Sequence, residues 1–199
     1  MGYRTDFKGK FKISTPLNQD QINYLEAFSS TRRMRRDEKK LASMPDPIRK
    51  AVGLPVGFDG EYYVGGYPEN FAQYDDKTVL DHNKSPSNQP GLWCDWTCTE
   101  DGKYIQWNGS EKFYYYNDWL HYLIDHFLNP WGKKLNGKIT WKGEDRGDKG
   151  VIVVEDNVVS MFSGEDYKHY LQNQAIKKEK KKLDEKLPKV IKKKQNIRI

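Results

Sequence analysis

Four arginines within five residues, Arg32, Arg33, Arg35 and Arg36, are the strongest chemical signal in the chain. A guanidinium presents a planar fork of donors that matches phosphate or carboxylate, and its face stacks on aromatic rings. The competing reading is structural, because cations near the C-terminus of a preceding helix are favoured by its dipole. A second group lies in Gly57-Phe58-Asp59-Gly60-Glu61-Tyr62-Tyr63-Val64-Gly65-Gly66. It lacks the Lys-Ser/Thr of a phosphate loop. It reads either as a packed loop or as a lid whose Tyr62 and Tyr63 stack on a ligand. Trp93 and Trp107 add two more rings. Simple alternation puts both on the strand faces opposite the cysteine side, where they are open or covered by residues 51–90. The expected ligand-binding set is therefore Arg32, Arg33, Arg35, Arg36, Tyr62, Tyr63, Trp93 and Trp107, with a nucleotide-like anion as its ligand.

Other reactive residue types have weaker patterns. His121 and Asp125 are four apart and Asp118 precedes His121 by three, so all three share one helical face. That could be a base held by a carboxylate, or a solvated face. His126 lies too far around the helix from His121 for a paired metal grip. Cys94 and Cys98 have no second cysteine pair with which to bind zinc. As strand neighbours four apart they are beyond disulfide reach, and they read as small apolar packing. Glu144, Asp145, Asp148, Glu155 and Asp156 lack calcium-loop spacing and read as polar turns. No cofactor fingerprint is present, and no cofactor is expected.

The 199 residues carry a formal net charge of +6, unevenly placed. Residues 171–199 hold eleven Lys or Arg against three acids, residues 31–50 hold eight against three, and residues 51–170 hold eleven against nineteen. An acidic body with two basic segments follows. The Lys177–Lys194 tail reads as a solvated run or as a source of nonspecific attraction to nucleic acid. No apolar run approaches a membrane span and no secretory leader is visible, so no membrane partner and a cytoplasmic location are expected. Self-association is left open.

These residues need a scaffold, and periodicity supplies one. Phe7 to Ser14 alternates as a strand. Asn18 and Gln21 have capping-box spacing ahead of a helix over 19–30. Residues 51–90 form a long irregular insertion rich in Gly and Pro, and its aromatics (Phe58, Tyr62, Tyr63, Tyr67, Phe71, Tyr74) argue for packing on the body. Leu92–Thr99 and Lys103–Asn108 flank Asp101-Gly102 as a hairpin. The stripe at 116, 119, 120, 123, 124, 127, 128 and 131 predicts a helix, with Asn117 as N-cap and Pro130 as stop. Strands at 138–142, 151–154 and 158–162 follow. The tail is helical by propensity and broken at Pro188. The predicted fold is α+β, a ferredoxin-like split βαβ of order β-α-β-β-α-β-β. It is an antiparallel sheet with two helices on one face and a long insertion after helix one. Residues 1–165 are the single domain and 166–199 the basic tail.

The phrases Gln-Pro-Gly-Leu-Trp-Cys-Asp-Trp at 89–96, Glu-Lys-Phe-Tyr-Tyr-Tyr at 111–116, Leu-Asn-Gly at 135–137 and Trp-Lys-Gly-Glu-Asp at 141–145 are distinctive. So is Trp-Leu-His-Tyr-Leu-Ile-Asp-His-Phe-Leu-Asn-Pro-Trp-Gly at 119–132. With the Pro-Leu…Tyr-Leu…Phe…Thr-Arg-Arg-Met pattern at 16–34, they resemble an uncharacterised family of bacterial and bacteriophage proteins. The resemblance implies a phage or mobile-element setting, and it supplies no activity. The leading functional expectation is a non-enzymatic binding protein for a nucleotide-like anion, for instance one that sequesters a host signalling nucleotide as an anti-defence device. A protein–protein inhibitor or assembly factor working through an apolar sheet face is one alternative. A nucleotide-processing enzyme with His121 or His82 as base is another.

Overall fold

Lysine and apolar residues alternate along the first strand because one of its faces is buried and the other is wet. In the computed structural model, which describes residues 2–65 and 76–195, this strand is β1 (Thr5–Ile13). Phe11 and Ile13 are buried while Lys8, Lys10 and Lys12 are exposed. Gly66, Tyr67, Phe71 and Tyr74 of the insertion lie outside the described residues.

The elements after β1 are α1 (Gln19–Ser30), β2 (Arg35–Arg36), α2 (Glu38–Leu41), α3 (Pro47–Ala51), β3 (Val79–Asp81), β4 (Trp96–Cys98) and β5 (Tyr104–Trp107). They continue with α4 (Tyr116–Leu123), β6 (Leu135–Gly143), β7 (Lys149–Glu155), β8 (Val158–Ser163) and α5 (Gly164–Gln195). The architecture is mixed α+β. Six strands form one sheet in the order β4-β5-β1-β6-β7-β8, with every neighbouring pair antiparallel. Tyr24, Leu25 and Phe28 from α1 and Trp119, Leu120 and Leu123 from α4 pack with Phe11, Ile105, Ile139 and Ile152 in one core on the inner face. Among the described residues no helix is long and apolar enough to cross a membrane.

Local chemistry explains several boundaries. The Asn18 side chain accepts from Gln21 N at 2.9 Å and the Gln21 side chain accepts from Asn18 N at 3.1 Å, so the predicted capping box closes. The turn between β4 and β5 is held by Asp101, which accepts from the Thr99 hydroxyl at 2.7 Å and from Lys103 N at 3.1 Å. Gly9 in β1 and Gly137 in β6 have φ of +123° and +134°, a region that side chains rarely adopt. A Cβ on Gly9 would lie 2.7 Å from the Lys138 carbonyl oxygen, so only glycine lets the two strands come this close.

Some expectations are corrected. The residue preceding α4 is Tyr115 rather than Asn117, and it takes a left-handed conformation with φ +56°. Its side chain makes no capping bond, and Asn117 Oδ1 is buried with no hydrogen-bond partner. The predicted uniform helix over 116–131 instead widens to a π turn over Ile124–Leu128, shown by Asn129 N donating to Ile124 O at 2.8 Å. Periodicity of apolar residues is too coarse to separate 3.6 from slightly more residues per turn. The insertion is not wholly irregular: β3 pairs with β2 in a small ribbon. Phe58 does not pack on the body and is 56% exposed. α5 runs across Pro188, because a proline removes one helical hydrogen bond without obliging the chain to leave the helix.

The faces of the hairpin also differ from simple alternation. Trp107 lies opposite Trp96 and Ile105 opposite Cys98. Residues directly opposite in an antiparallel pair share a face. Ile105 and Trp107 therefore sit on the inner, helix-covered side with Cys98. Ile105 is fully buried, and the Trp107 ring is 5.6 Å from that of Phe7. Alternation within one strand says nothing about its partner until the register is known.

Candidate functional site

The structure does not bring the eight predicted residues together. Arg33 is 2% exposed. It donates from Nη1 to Tyr63 O at 2.9 Å, from Nη2 to Glu61 O at 2.6 Å and from Nε to Gln89 Oε1 at 3.3 Å. Its guanidinium carbon stands 4.2 Å from the Phe28 ring centroid. Arg36 is equally buried, pairs with Asp76 at 2.9 Å and Thr78 at 2.6 Å, and lies over Tyr63. Arg35 makes a two-pronged pair with Asp59 at 2.8 and 3.2 Å. These three arginines fasten residues 59–63, 76–78 and 89 to the end of α1. A buried guanidinium needs acceptors, and neighbouring segments of this chain supply them.

Tyr62 is half-buried and its hydroxyl meets His126 Nδ1 at 2.7 Å. Burial pushes the Tyr62 phenol up to about 12. The His126 ring stacks on Tyr122 at 4.1 Å, and the Tyr122 hydroxyl donates to Glu61 Oε1 at 2.8 Å. The π turn presents His126 in this array. His121, Asp125 and Asp118 form no comparable arrangement. Glu144 and Asp148 instead anchor the N-terminus: Glu144 accepts from Arg4 N at 2.8 Å, and Asp148 holds the Tyr3 hydroxyl. Among the described residues no cluster of three His, Cys, Asp or Glu side chains is set to hold a metal ion.

Arg32 and Trp93 have a different setting. Arg32 Nε donates to His82 O at 3.2 Å and Nη2 to Asn83 Oδ1 at 3.3 Å, which holds the guanidinium 6.0 Å from the Trp93 ring. Trp93 is 36% exposed and lines a groove of about 600 Å³. Lys84, Lys112, Tyr114 and Tyr115 line it as well. Tyr114 and Tyr115 are 49% and 61% exposed. The Tyr114 hydroxyl accepts from Tyr3 N at 3.1 Å, and the Tyr115 ring rests against Gly91, where a Cβ would come within 3.2 Å of it. Behind Gly91 the indole nitrogen of Trp119 is buried without a hydrogen-bond partner, 3.9 Å from the same Cβ position. Three large rings, two lysines and a nearby arginine surround a cleft of the size small ligands occupy.

No family model, curated protein or solved structure matches the chain.

Lys84, Lys112, Tyr114 and Tyr115 were not legible as site residues. Tyr114, Tyr115 and Tyr116 form a run ahead of a helix, and nothing in periodicity says that only Tyr116 turns inward. Cys94 and Cys98 are free and buried. Burial pushes both thiols up, Cys98 to about 11. Thiolate is the reactive form. Native labelling with a disulfide reagent at pH 8 is therefore expected to run more than about 100-fold slower than labelling in guanidinium. Comparable native and unfolded rates would refute the burial of both thiols.

Proposed function

We propose that the chain is a non-enzymatic binding protein for a small anionic aromatic ligand of nucleotide type. The ligand would be held in the groove between Trp93 and Tyr114–Tyr115. The observation that carries this reading is the convergence of exposed rings with Lys84, Lys112 and the tethered Arg32 around one cleft. Trp93 and Tyr115 offer faces for a planar base, and stacking contributes about 1–3 kcal/mol per base. Lys112 supplies charge for phosphate, together with Lys84, whose ammonium stands 3.6 Å from Asp81, and with Arg32 beside Trp93. The buried N–H of Trp119 is a donor still lacking an acceptor. Tyr115 also precedes α4, whose first turn has no side-chain cap, and helix N-termini favour negative charge.

Relative to the sequence expectation, the site keeps Arg32 and Trp93. It exchanges the other six residues for Lys84, Lys112, Tyr114 and Tyr115. The split βαβ reading of the scaffold belongs with this proposal, supported by β5 lying between β4 and β1 and by β1 lying between β5 and β6. The phage setting rests on the sequence resemblance alone.

Thermal shift against purine and pyrimidine mononucleotides and cyclic dinucleotides tests the reading. At least one is expected to stabilise the wild type. Trp93→Ala is expected to weaken its binding about tenfold or more, and Lys112→Gln to weaken it and to flatten its salt dependence. Stabilisation by no member of the panel, or equal affinity in the Trp93→Ala variant, would overturn it.

A further inference from the structure

The outer face of the sheet carries an arrangement that neither the core nor the groove explains. Lys8, Lys10 and Lys12 of β1, Lys138 and Lys142 of β6 and Lys149 of β7 are all exposed. The strand register puts them on one side. Along β1 the lysines repeat at about 6.8 Å, and neighbouring strands lie about 4.8 Å apart. Among the described residues none of the six forms an ion pair. The face is not free of acids. Asp6 stands opposite Lys142 while pairing with Arg4 at 3.0 Å, and Glu155 lies at the far end of β7; the lysines still outnumber them six to two.

Two of the contacts oppose folding. Lys10 stands directly opposite Lys138, and Lys142 directly opposite Lys149. Like charges facing one another across strands are destabilising. A polyanion laid over the face would relieve both repulsions at once. The sheet face also continues into a second feature. α5 turns back over β7 and β8, with Tyr170 stacked on Phe162 at 5.0 Å. Between helix and sheet runs an open channel of about 1080 Å³ lined by Lys138, Phe162, Tyr170, Asn173, Gln174 and Lys177, with the carboxylates of Glu155 and Asp166 also in its lining. Rows of lysine leading to a channel with aromatic and amide side chains match a flexible phosphate backbone bearing planar bases. A duplex, with its bases enclosed, would use only the lysines.

We propose that this outer face and the channel under α5 bind single-stranded nucleic acid, with the β1 and β6 lysines on the phosphates and Tyr170 beside the bases. This site is separate from the Trp93 groove and does not depend on it.

Fluorescence anisotropy of the full chain with a labelled oligothymidine of about 20 nucleotides tests it, across salt from about 50 to 200 mM. The Lys8→Gln/Lys10→Gln/Lys12→Gln variant is expected to bind at least tenfold more weakly. Its slope of log affinity against log salt should fall by about 2, the share of three phosphate contacts on a single strand. Lys138→Gln/Lys142→Gln, on the neighbouring strand β6, should also bind more weakly, with a slope smaller by about 1.4, and both variants should melt no lower than wild type because like-charge pairs have gone. Affinity and slope unchanged in both variants would overturn the proposal. So would binding abolished by Lys178→Gln/Lys181→Gln/Lys182→Gln but untouched by the strand variants, which would assign binding to the tail alone. Tighter binding of a duplex of equal length would overturn the single-strand assignment.

Discussion

Replacing Arg33 with Ala is expected to destabilise the protein by about 3–5 kcal/mol, measured by urea unfolding. Arg33 is fully enclosed, and burial lowers its pKa from arginine's usual value. Among the described residues its hydrogen bonds go to two main-chain carbonyls and one side-chain amide, and none to a carboxylate. Truncation would strand the Tyr63 carbonyl and the Gln89 amide oxygen in a dry interior, each costing about 1–3 kcal/mol where no water can enter, and would leave the Glu61 carbonyl with only its 2.6 Å bond from Gln89 Nε2. It would also open a void against Phe28. Arg33→Lys should recover little, since one ammonium lacks the planar fork that reaches three acceptors. Arg32→Ala, at the partly exposed start of the same cluster, should shift stability by less than about 1 kcal/mol. Equal effects at positions 32 and 33 would show that the cluster is a solvated run rather than an internal fastener.

Gly9→Ala should cost about 3 kcal/mol, the second large effect. The residue sits at φ +123°, and its new methyl would press on the Lys138 carbonyl, which is backbone and cannot swing aside. Gly109→Ala provides the control. Its φ is +92°, but nothing lies within 4 Å of the added carbon. It should therefore report conformational strain alone, about 1 kcal/mol. The difference between the two melting curves isolates the contact between β1 and β6.

Elements set by periodicity and capping were readable in the sequence. The alternation of β1, the Asn18–Gln21 box and the apolar stripe that starts α4 each follow from local spacing, and the first two form where expected while the third runs on from α4 into a π turn. What depended on register was not readable. Trp107 looked like an outer-face residue until its pairing with Trp96 turned it inward. The arginine cluster looked like a ligand site because sequence shows how many donors there are but not where the acceptors lie. Its acceptors come from residues 59–63, 76–78 and 89, which no spacing rule connects to 33–36. The lysine face was hidden for a related reason. Averaged along the chain the body is acidic, yet the sheet sorts Lys8, Lys10, Lys12, Lys138, Lys142 and Lys149 to one side.

β1 lies inside the sheet, between β5 and β6, although it precedes every other strand of that sheet in the chain. Its partners are Tyr104–Ile105 on one side and Leu135–Gly143 on the other, and Thr5 finds Gly143 across most of the chain. Such long-range pairing makes loop closure costly and slows folding towards the millisecond-to-second range. On the ribosome the segment emerges well before both strands it pairs with, leaving Phe7, Phe11 and Ile13 unsheltered until residue 143 has left the tunnel. The interleaved lysines, which repel a second copy of the strand, then act as gatekeepers against premature association during synthesis.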